Sequence, residues 1–272
     1  MEYGIIHEME TTETPRAWLR SWQKKQLPDL RNRSFPPSRY RDAVTLVIYA
    51  FLSNEEDFIG MEFSILQSWK VLGLLPVKII ADREYATARE LRRKFPEFVE
   101  IQTEPTLIPG RIETMSQDMI IRLHGRFSTP YCLIIQDDGF PLNDTLNDFL
   151  GKWDYIGAPS VRDVPAQYLA DLFRLAVIGG GFSLRSKRIC KAVSREWAFW
   201  KHFIAPKSKA AIEDIFYTQT ACLNPFYRFR FRFPSSKQAR KFDVFDFNGI
   251  DDIRDLKTFG VHGPTAIRQR FS

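Results

Sequence analysis

The chain has 272 residues, of which 44% are hydrophobic and 26% are charged, with 39 Lys and Arg against 33 Asp and Glu. This composition is ordinary for a globular protein, and the length suits one large α/β domain better than two small ones. The net charge of +6 favours an anionic partner, such as a nucleotide diphosphate, a membrane surface or a nucleic acid, without choosing among them.

The cysteines and the hydropathy pattern exclude several classes of protein. The three cysteines, Cys132, Cys190 and Cys222, are an odd number without paired spacing, which indicates free thiols rather than a disulfide framework or a zinc site. No apolar run approaches the roughly 20 residues that a transmembrane helix needs, and residues 1–10 lack the apolar core of a signal peptide. We therefore expect a cytoplasmic protein that is at most peripheral at a membrane.

The first 40 residues are polar and contain four prolines, which predicts an amino-terminal arm with a short helix around Ala17–Lys25. A domain spanning residues 41–272 follows. It opens with an apolar, β-branched run at Ala43–Leu52, which predicts a strand buried on both faces. Helices and strands are then predicted in alternation, at Phe58–Leu72, Val77–Ala81, Tyr85–Lys94, Phe98–Gln102, Ser116–Phe127 and Tyr131–Gln136.

This alternation predicts an α/β fold with a doubly wound, mostly parallel sheet. The second half is less regular, with predicted strands at Tyr155–Ile156 and Gly180–Arg185 and predicted helices at Ser186–Trp200 and Ile212–Cys222.

The segment YRFRFRF, residues 227–233, alternates strictly between aromatic residues and arginine, which predicts a strand with the two types on opposite faces. The favoured interpretation is an amphipathic strand with its aromatic face in the core. The alternative is a basic aromatic strand that binds single-stranded nucleic acid or another anionic ligand.

Two carboxylates, Asp137 and Asp138, follow the buried strand that ends at Gln136. Ligands of open α/β sheets gather beyond the carboxyl ends of the strands. A hard divalent cation takes oxygen ligands and keeps positions for diphosphate oxygens and water. These residues therefore predict a metal and donor site, with a structural turn as the alternative.

Three later motifs carry candidate chemistry. The glycine run Gly179–Gly181 lets a backbone approach a ligand closely, although a glycine-rich turn between strands is the favoured interpretation of this motif taken alone. Glu213 and Asp214 stand at a helix start, where they either cap the helix or act as a general base. His262 lies near glycines, where a neutral imidazole can reach a metal held by Asp138 or have a structural role.

The segments IIQDD, WDYIGAP (Trp153–Pro159), GGGFSLRSK, AIEDIFY and FGVHG resemble, in order and spacing, a family of GT-A-like glycosyltransferases known mainly as a domain of unknown function, the DUF5672 type. The resemblance spans roughly residues 43–264. It implies a single domain with a GT-A-like, Rossmann-type mixed sheet flanked by helices.

The resemblance also implies roles for individual residues. Gln136 and Asp138 match a Gln-x-Asp motif, with Asp138 and His262 as ligands of Mn²⁺ or Mg²⁺ and Asp137 beside them. Gly180 and Gly181 would contact the donor sugar or the acceptor, as would the segment Trp153–Pro159. Asp214, with its neighbour Glu213, would supply the catalytic base of an inverting enzyme. Where relatives often carry a polar residue after the first strand, this chain has Tyr49 and Phe51, either of which is expected to stack on uracil.

The predicted function is transfer of a sugar from a UDP-sugar donor to a hydroxyl of a glycan acceptor. Arg185, Lys187 or the arginines of residues 228–232 are expected to add positive charge near the diphosphate. The alternative is a non-catalytic protein that binds an anionic ligand or nucleic acid through residues 227–233. A sugar-phosphate nucleotidyltransferase is disfavoured, because no glycine-rich loop follows the first strand at residues 49–54.

Overall fold

The computed structural model describes residues 13–53, 57–159, 178–200, 202, 212–245 and 257–272. In chain order the elements are α1 (Pro15–Arg31), β1 (Val44–Ala50), α2 (Phe58–Leu72), β2 (Val77–Ala81), α3 (Ala86–Lys94), β3 (Val99–Thr103), α4 (Ile112–Ile121), α5 (Leu123–Arg126), β4 (Tyr131–Ile134), β5 (Gly139–Pro141), a short 3-10 helix (Leu146–Asp148), β6 (Tyr155–Pro159), β7 (Ile178–Ser186), α6 (Lys187–Trp200), α7 (Glu213–Leu223), α8 (Pro225–Arg230), α9 (Ser236–Phe242), β8 (Asp243–Phe245), β9 (Gly260–His262) and α10 (Pro264–Phe271).

Within the described residues, six strands form a main sheet in the order β3-β2-β1-β4-β7-β6. Strands β1 to β4 are paired in parallel, whereas β7 runs antiparallel to both β4 and β6. Every residue of β1 and β2 is buried, as expected for strands covered by helices on both faces. The predicted α/β fold with a mixed sheet flanked by helices is confirmed.

A second sheet in the described residues has the order β5-β9-β8. Gly139 of β5 pairs with His262 of β9, and Phe245 of β8 pairs with the same histidine. Because β5 begins directly after the carboxylates that follow β4, this pairing brings the carboxyl-terminal histidine to the edge of the main sheet.

Helix α1 is longer than the short helix predicted at residues 17–25. Thr14 caps its amino terminus, and the buried side chains of Leu19, Gln23, Leu27 and Leu30 share one face of the helix. The helix packs on α2 and α10. The boundary between an arm and a domain at residues 40 and 41 stays a prediction.

The predicted strand at residues 227–233 is wrong, because most of it belongs to helix α8. Asn224 accepts a hydrogen bond from the N–H of Phe226 at 3.0 Å, and Pro225 occupies the first helical position. These two start signals outweigh the alternating pattern. Phe229 is 82% exposed and Phe231 only 3%, so the alternating aromatic residues do not share one buried face.

Two further predictions from the sequence concern helices and cysteines. The single helix predicted at residues 116–127 is divided into α4 and α5.

Cys132 and Cys190 are buried free thiols, and the side chain of Cys222 lies outside the described residues. In the part of the chain that the structure describes, no helix combines the length and the apolar character that crossing a membrane requires.

Candidate active site at the carboxyl edge of the sheet

Gln136, Asp137 and Asp138 lie just beyond the carboxyl end of β4. A cleft of about 630 Å³ opens here, and its lining includes Arg16, Arg20, Tyr49, Phe51, Asp57, Gln136, Asp137 and Asp138. Ile134 of β4 pairs with Ser183 of the antiparallel strand β7. The glycine run that precedes Ser183 therefore passes beside the residues that follow β4.

Gly181 is the point where Gln136 and His262 approach the backbone of β7. A Cβ atom at this position would lie 2.4 Å from Oε1 of Gln136 and 2.4 Å from Nε2 of His262. Both separations are far inside van der Waals contact, so only a residue without a side chain accommodates the two groups.

The imidazole of His262 lies between two carboxylates. Its Nε2 is 3.6 Å from Oδ1 of Asp138, and its Nδ1 is 3.9 Å from Oδ2 of Asp243. The ring stacks on Phe245 with a centroid separation of 4.5 Å, and the N–H of Gly263 donates to the carbonyl of Asp138 at 2.8 Å. The position of the ring is thus determined from both sides.

Asp243 is a candidate that sequence reasoning missed. It is completely buried, and burial raises the pKa of its carboxyl group well above the usual value, with a further rise from Asp138, although the N–H groups of Val244 and Ala158 oppose the shift. The sequence signal was a lone acidic residue at the start of a short apolar strand, which is too common a pattern to single it out.

The candidate metal ligands at this site are the carboxylate of Asp138 and the imidazole of His262. The amide oxygen of Gln136 lies next to them, because it approaches the same glycine, Gly181, as the imidazole does. Among the residues that the structure describes, no set of three His, Cys, Asp or Glu side chains is arranged to hold a metal ion alone. The donor set, with the space that Gly181 leaves beside it, fits a divalent cation whose other positions are filled by substrate oxygens and water.

Asp137 is held by helix α1. Nη2 of Arg16 lies 2.7 Å and Nη2 of Arg20 lies 2.9 Å from Oδ2 of Asp137, and the amide of Gln23 donates to the Asp137 carbonyl at 2.6 Å. Burial and the neighbouring Asp138 raise the pKa of Asp137, whereas the two arginines oppose this rise. Sequence reasoning missed both arginines, because nothing in an amino-terminal helix signals contact with a distant carboxylate.

Tyr49 and Phe51 both line the cleft, but they differ in burial. Tyr49 is 4% exposed, and its hydroxyl donates to Oδ2 of Asp118 at 2.8 Å. Burial is the main reason why the pKa of Tyr49 is raised well above its usual value. Phe51 is half-buried. The tyrosine hydroxyl is therefore bonded within the core, and a nucleotide contact by either ring stays a prediction.

Glu213 lies against Gly180, whose added Cβ atom would be 1.8 Å from Oε1 of Glu213. The same Oε1 is 2.8 Å from Nη2 of Arg185. Arg185 is completely buried between the rings of Tyr155 and Tyr217, with its guanidinium carbon 4.8 and 4.9 Å from their centroids. Because neighbouring strand residues point to opposite faces, Gly180 and Gly181 separate this ion pair from His262.

Asp214 is 3% exposed. Its Oδ1 accepts a hydrogen bond from the N–H of Ile215 at 2.7 Å, in the first turn of α7. This contact is local to the first turn, whose N-cap residue is Ile212 and has no side-chain capping hydrogen bond. Both the capping role and the catalytic role of Glu213 and Asp214 stay predictions.

The side chains expected to add positive charge near a diphosphate lie elsewhere. Arg185 is in the buried ion pair, and Lys187 donates to the carbonyl of Phe127 at 2.6 Å. The described lining of the cleft includes neither of them, nor any arginine of residues 228–232; its arginines are Arg16 and Arg20.

A second open cleft, of about 940 Å³, lies beyond the other end of β5 and β9. Its lining includes Trp153, Lys152, Lys241, Lys257 and Arg270. Residues Tyr155–Pro159 of the segment Trp153–Pro159 form β6, and the proposed contact of the segment with sugar or acceptor stays a prediction.

Solved glycosyltransferase structures resemble this chain. The apo form of GlyE from Streptococcus pneumoniae TIGR4 is 9% identical, with a TM-score of 0.51 over 81% of this chain and 54% of GlyE. The mannosyltransferase PcManGT from Pyrobaculum calidifontis, solved with GDP-Man and Mn²⁺, is 12% identical, with a TM-score of 0.39 over 65% of this chain and 54% of PcManGT. TarS from S. aureus is 14% identical, with a TM-score of 0.41 over 67% of this chain and 56% of the TarS chain.

The chain therefore spans about half the length of these three proteins. At such low identity the GlyE similarity concerns the fold alone, and the two lower scores carry no weight. No curated protein matches the sequence.

One family profile, DUF5672, which is described as a protein of unknown function, matches residues 108–262. The match begins later than the resemblance expected from residue 43, but it covers more than half of the chain. It contains Gln136, Asp138, the glycine run, Asp214 and His262. The chain therefore belongs to the DUF5672 family.

Proposed function

We propose that the protein is a metal-dependent glycosyltransferase that moves a sugar from a nucleotide-sugar donor, a UDP-sugar, to a hydroxyl of a glycan acceptor. The observation that carries this proposal is the meeting of Asp138 and His262, 3.6 Å apart, over Gly181 and beside a cleft at the carboxyl edge of the sheet. The fold similarity to GlyE, a glycosyltransferase, supports it.

Asp138 and His262 are the proposed ligands of Mn²⁺ or Mg²⁺. When bound, the ion offsets the negative charge that develops on the leaving nucleoside diphosphate. Asp243 lies on the Nδ1 side of His262, and Phe245 stacks on the ring. These two residues orient the imidazole so that its Nε2 points to Asp138, as partners behind metal ligands commonly do.

Asp214 is the proposed base. In the proposed reaction it accepts the proton of the acceptor hydroxyl, whose oxygen bonds to the anomeric carbon as the bond to the phosphate oxygen breaks. The bonding electron pair leaves with the nucleoside diphosphate, and attack from the opposite face inverts the anomeric carbon. Glu213, one residue earlier, holds Arg185 and thereby anchors the start of α7, which positions Asp214.

The test is calorimetric titration of UDP, GDP and a panel of UDP-sugars into the protein, with and without Mn²⁺. We expect metal-dependent binding of UDP that weakens by about tenfold or more in Asp138→Ala, because a divalent ion would lose its carboxylate ligand. Asp42→Ala is the matched control, since the Asp42 side chain is 95% exposed. Normal metal-dependent affinity in Asp138→Ala, or no nucleotide binding by the wild type, would overturn the proposal.

The base assignment has its own test. Asp214→Asn is expected to retain donor binding and to lower turnover by about 10²–10⁴-fold, the usual contribution of a general base. Unchanged turnover would refute the role of Asp214 while leaving the donor site in place.

A further inference from the structure

Two arginines of helix α1 reach the carboxylates that follow β4. Arg16 and Arg20 both contact Oδ2 of Asp137, and Nη1 of Arg16 lies 3.8 Å from Oδ2 of Asp138. The side chain of Arg16 is 59% exposed and that of Arg20 is 21% exposed. Both line the cleft that opens beside Asp138. The family profile begins at residue 108, so these arginines belong to a part of the chain that it does not match.

The charges of the cleft require a source of positive charge beyond a metal ion. The described lining carries three carboxylates, Asp57, Asp137 and Asp138, and two guanidinium groups. Without the arginines, the carboxylates would outweigh a divalent cation by one charge, and a diphosphate would meet a negative site. With them, the same cation leaves an excess of one positive charge, which attracts an anion.

The geometry leaves donors available. A guanidinium has five N–H donors in a fixed fork, and each of these arginines uses Nη2 on Asp137. Asp137 therefore holds the two forks in place while more than half of the Arg16 side chain remains exposed at the cleft. An anion that approaches Asp138 comes within reach of Arg16, since Nη1 is already 3.8 Å from that carboxylate.

We propose that Arg16 and Arg20 form an anion-binding wall that receives the diphosphate of the donor, with Asp137 as the residue that positions them. The inference rests on the proposed function, because it assigns a ligand to the same cleft. In a purely structural role, the ion pair between Arg16 and Asp137 would instead serve to hold α1 against the rest of the domain. The packing of the helix through Leu19, Leu27 and Leu30 already does this, and exposed ion pairs contribute little.

Arg16 is expected to strengthen diphosphate binding and to weaken metal binding. A positive charge 3.8 Å from Asp138 repels a metal ion at that carboxylate but attracts a diphosphate. Arg16→Gln should therefore raise the Kd for UDP in the presence of Mn²⁺ by about tenfold, the value of one charge-assisted hydrogen bond. The same variant should bind Mn²⁺ alone as tightly as the wild type or more tightly.

Calorimetric titration of the full chain with Mn²⁺ alone, with UDP plus Mn²⁺, and with inorganic pyrophosphate plus Mn²⁺ tests the inference. The matched control is Lys25→Gln, which removes one positive charge from an exposed residue of the same helix and should change none of the three affinities. Urea unfolding of Arg16→Gln should match the wild type. The inference is overturned if Arg16→Gln leaves both diphosphate affinities unchanged, or if Lys25→Gln weakens them equally.

Failure of the inference and failure of the proposed function are distinguishable. If pyrophosphate binding depends on Arg16 but no sugar is transferred from any donor, the anion-binding wall stands and the glycosyltransferase proposal falls. If sugar transfer is measured and Arg16→Gln retains normal diphosphate affinity, the wall falls and the enzyme stands.

Discussion

Replacement of Glu213 with Gln decides whether this residue is structural or catalytic. The side chain of Arg185 is completely buried, with its Nη2 2.8 Å from Oε1 of Glu213. Among the described residues, its other hydrogen bonds are to neutral acceptors, the hydroxyl of Ser183 at 3.1 Å and the carbonyl of Gly180 at 3.3 Å. Within this part of the chain, Glu213→Gln therefore removes the carboxylate partner of the buried guanidinium.

Removal of one partner from a buried ion pair costs about 3–5 kcal/mol. Gln keeps a neutral acceptor oxygen, and the rings of Tyr155 and Tyr217 still flank the guanidinium, so we expect the lower end, about 3 kcal/mol. The assay is urea unfolding followed by tryptophan fluorescence and circular dichroism, with the free energy of unfolding extrapolated to water. The double variant Arg185→Met, Glu213→Leu should recover much of the loss, because apolar replacements of a buried pair are often neutral or stabilising.

A loss of stability below about 1 kcal/mol in Glu213→Gln, together with loss of turnover, would refute this reasoning. It would mean that Glu213 acts on the substrate rather than on Arg185. Binding of UDP with Mn²⁺ should persist in a folded Glu213→Gln protein, since Gly180 and Gly181 separate the ion pair from His262.

Three other predictions concern different parts of the molecule. Gly181→Ala should lower the free energy of unfolding by about 1–3 kcal/mol and abolish Mn²⁺ binding measured by calorimetry, because the added methyl group would overlap His262. Gly179→Ala is the control, since the nearest atom to its added methyl group would be 3.7 Å away. The hydrogen bond from Arg126 is the main reason why the pKa of Glu104 is lowered from 4.5 to about 2. The stability that this carboxylate contributes is therefore present above pH 4.5 and is lost as the pH falls towards 2. Screening by solvent keeps this loss to about 1–2 kcal/mol, so the free energy of urea unfolding should fall by about that much less in Glu104→Gln than in the wild type over this pH range. In urea unfolding, Phe231→Ala should cost about 3–5 kcal/mol and Phe229→Ala less than about 0.5 kcal/mol, because these side chains are 3% and 82% exposed. Equal losses in the two variants would favour the alternating strand.

Elements with strong periodicity were predictable from the sequence. The apolar spacing of Phe58–Leu72 and the short buried run of Val77–Ala81 predicted α2 and β2 with the bounds that the structure has. Residues 227–233 show the limit of this approach, because a regular two-residue alternation was outweighed by the local start signals Asn224 and Pro225. A two-residue alternation predicts a strand only where no local signal starts a helix.

The candidate site was partly predictable for a similar reason. Asp138 follows a strand that the sequence identifies, and parallel sheets place such residues at an edge where ligands bind. Asp243, Arg16 and Arg20 were not predictable, because each gains significance from a partner that is distant in the chain.

The sequence by itself determined the alternating α/β order, the strand that precedes Asp138, and the glycines that allow close approach. Only the tertiary structure decided that His262 faces Asp138, that Glu213 is paired with Arg185, and that α1 contributes arginines to the cleft. The physical reason is that periodicity and capping act between residues a few positions apart, whereas the partners of these charged side chains depend on strand register and on how a helix packs against the sheet.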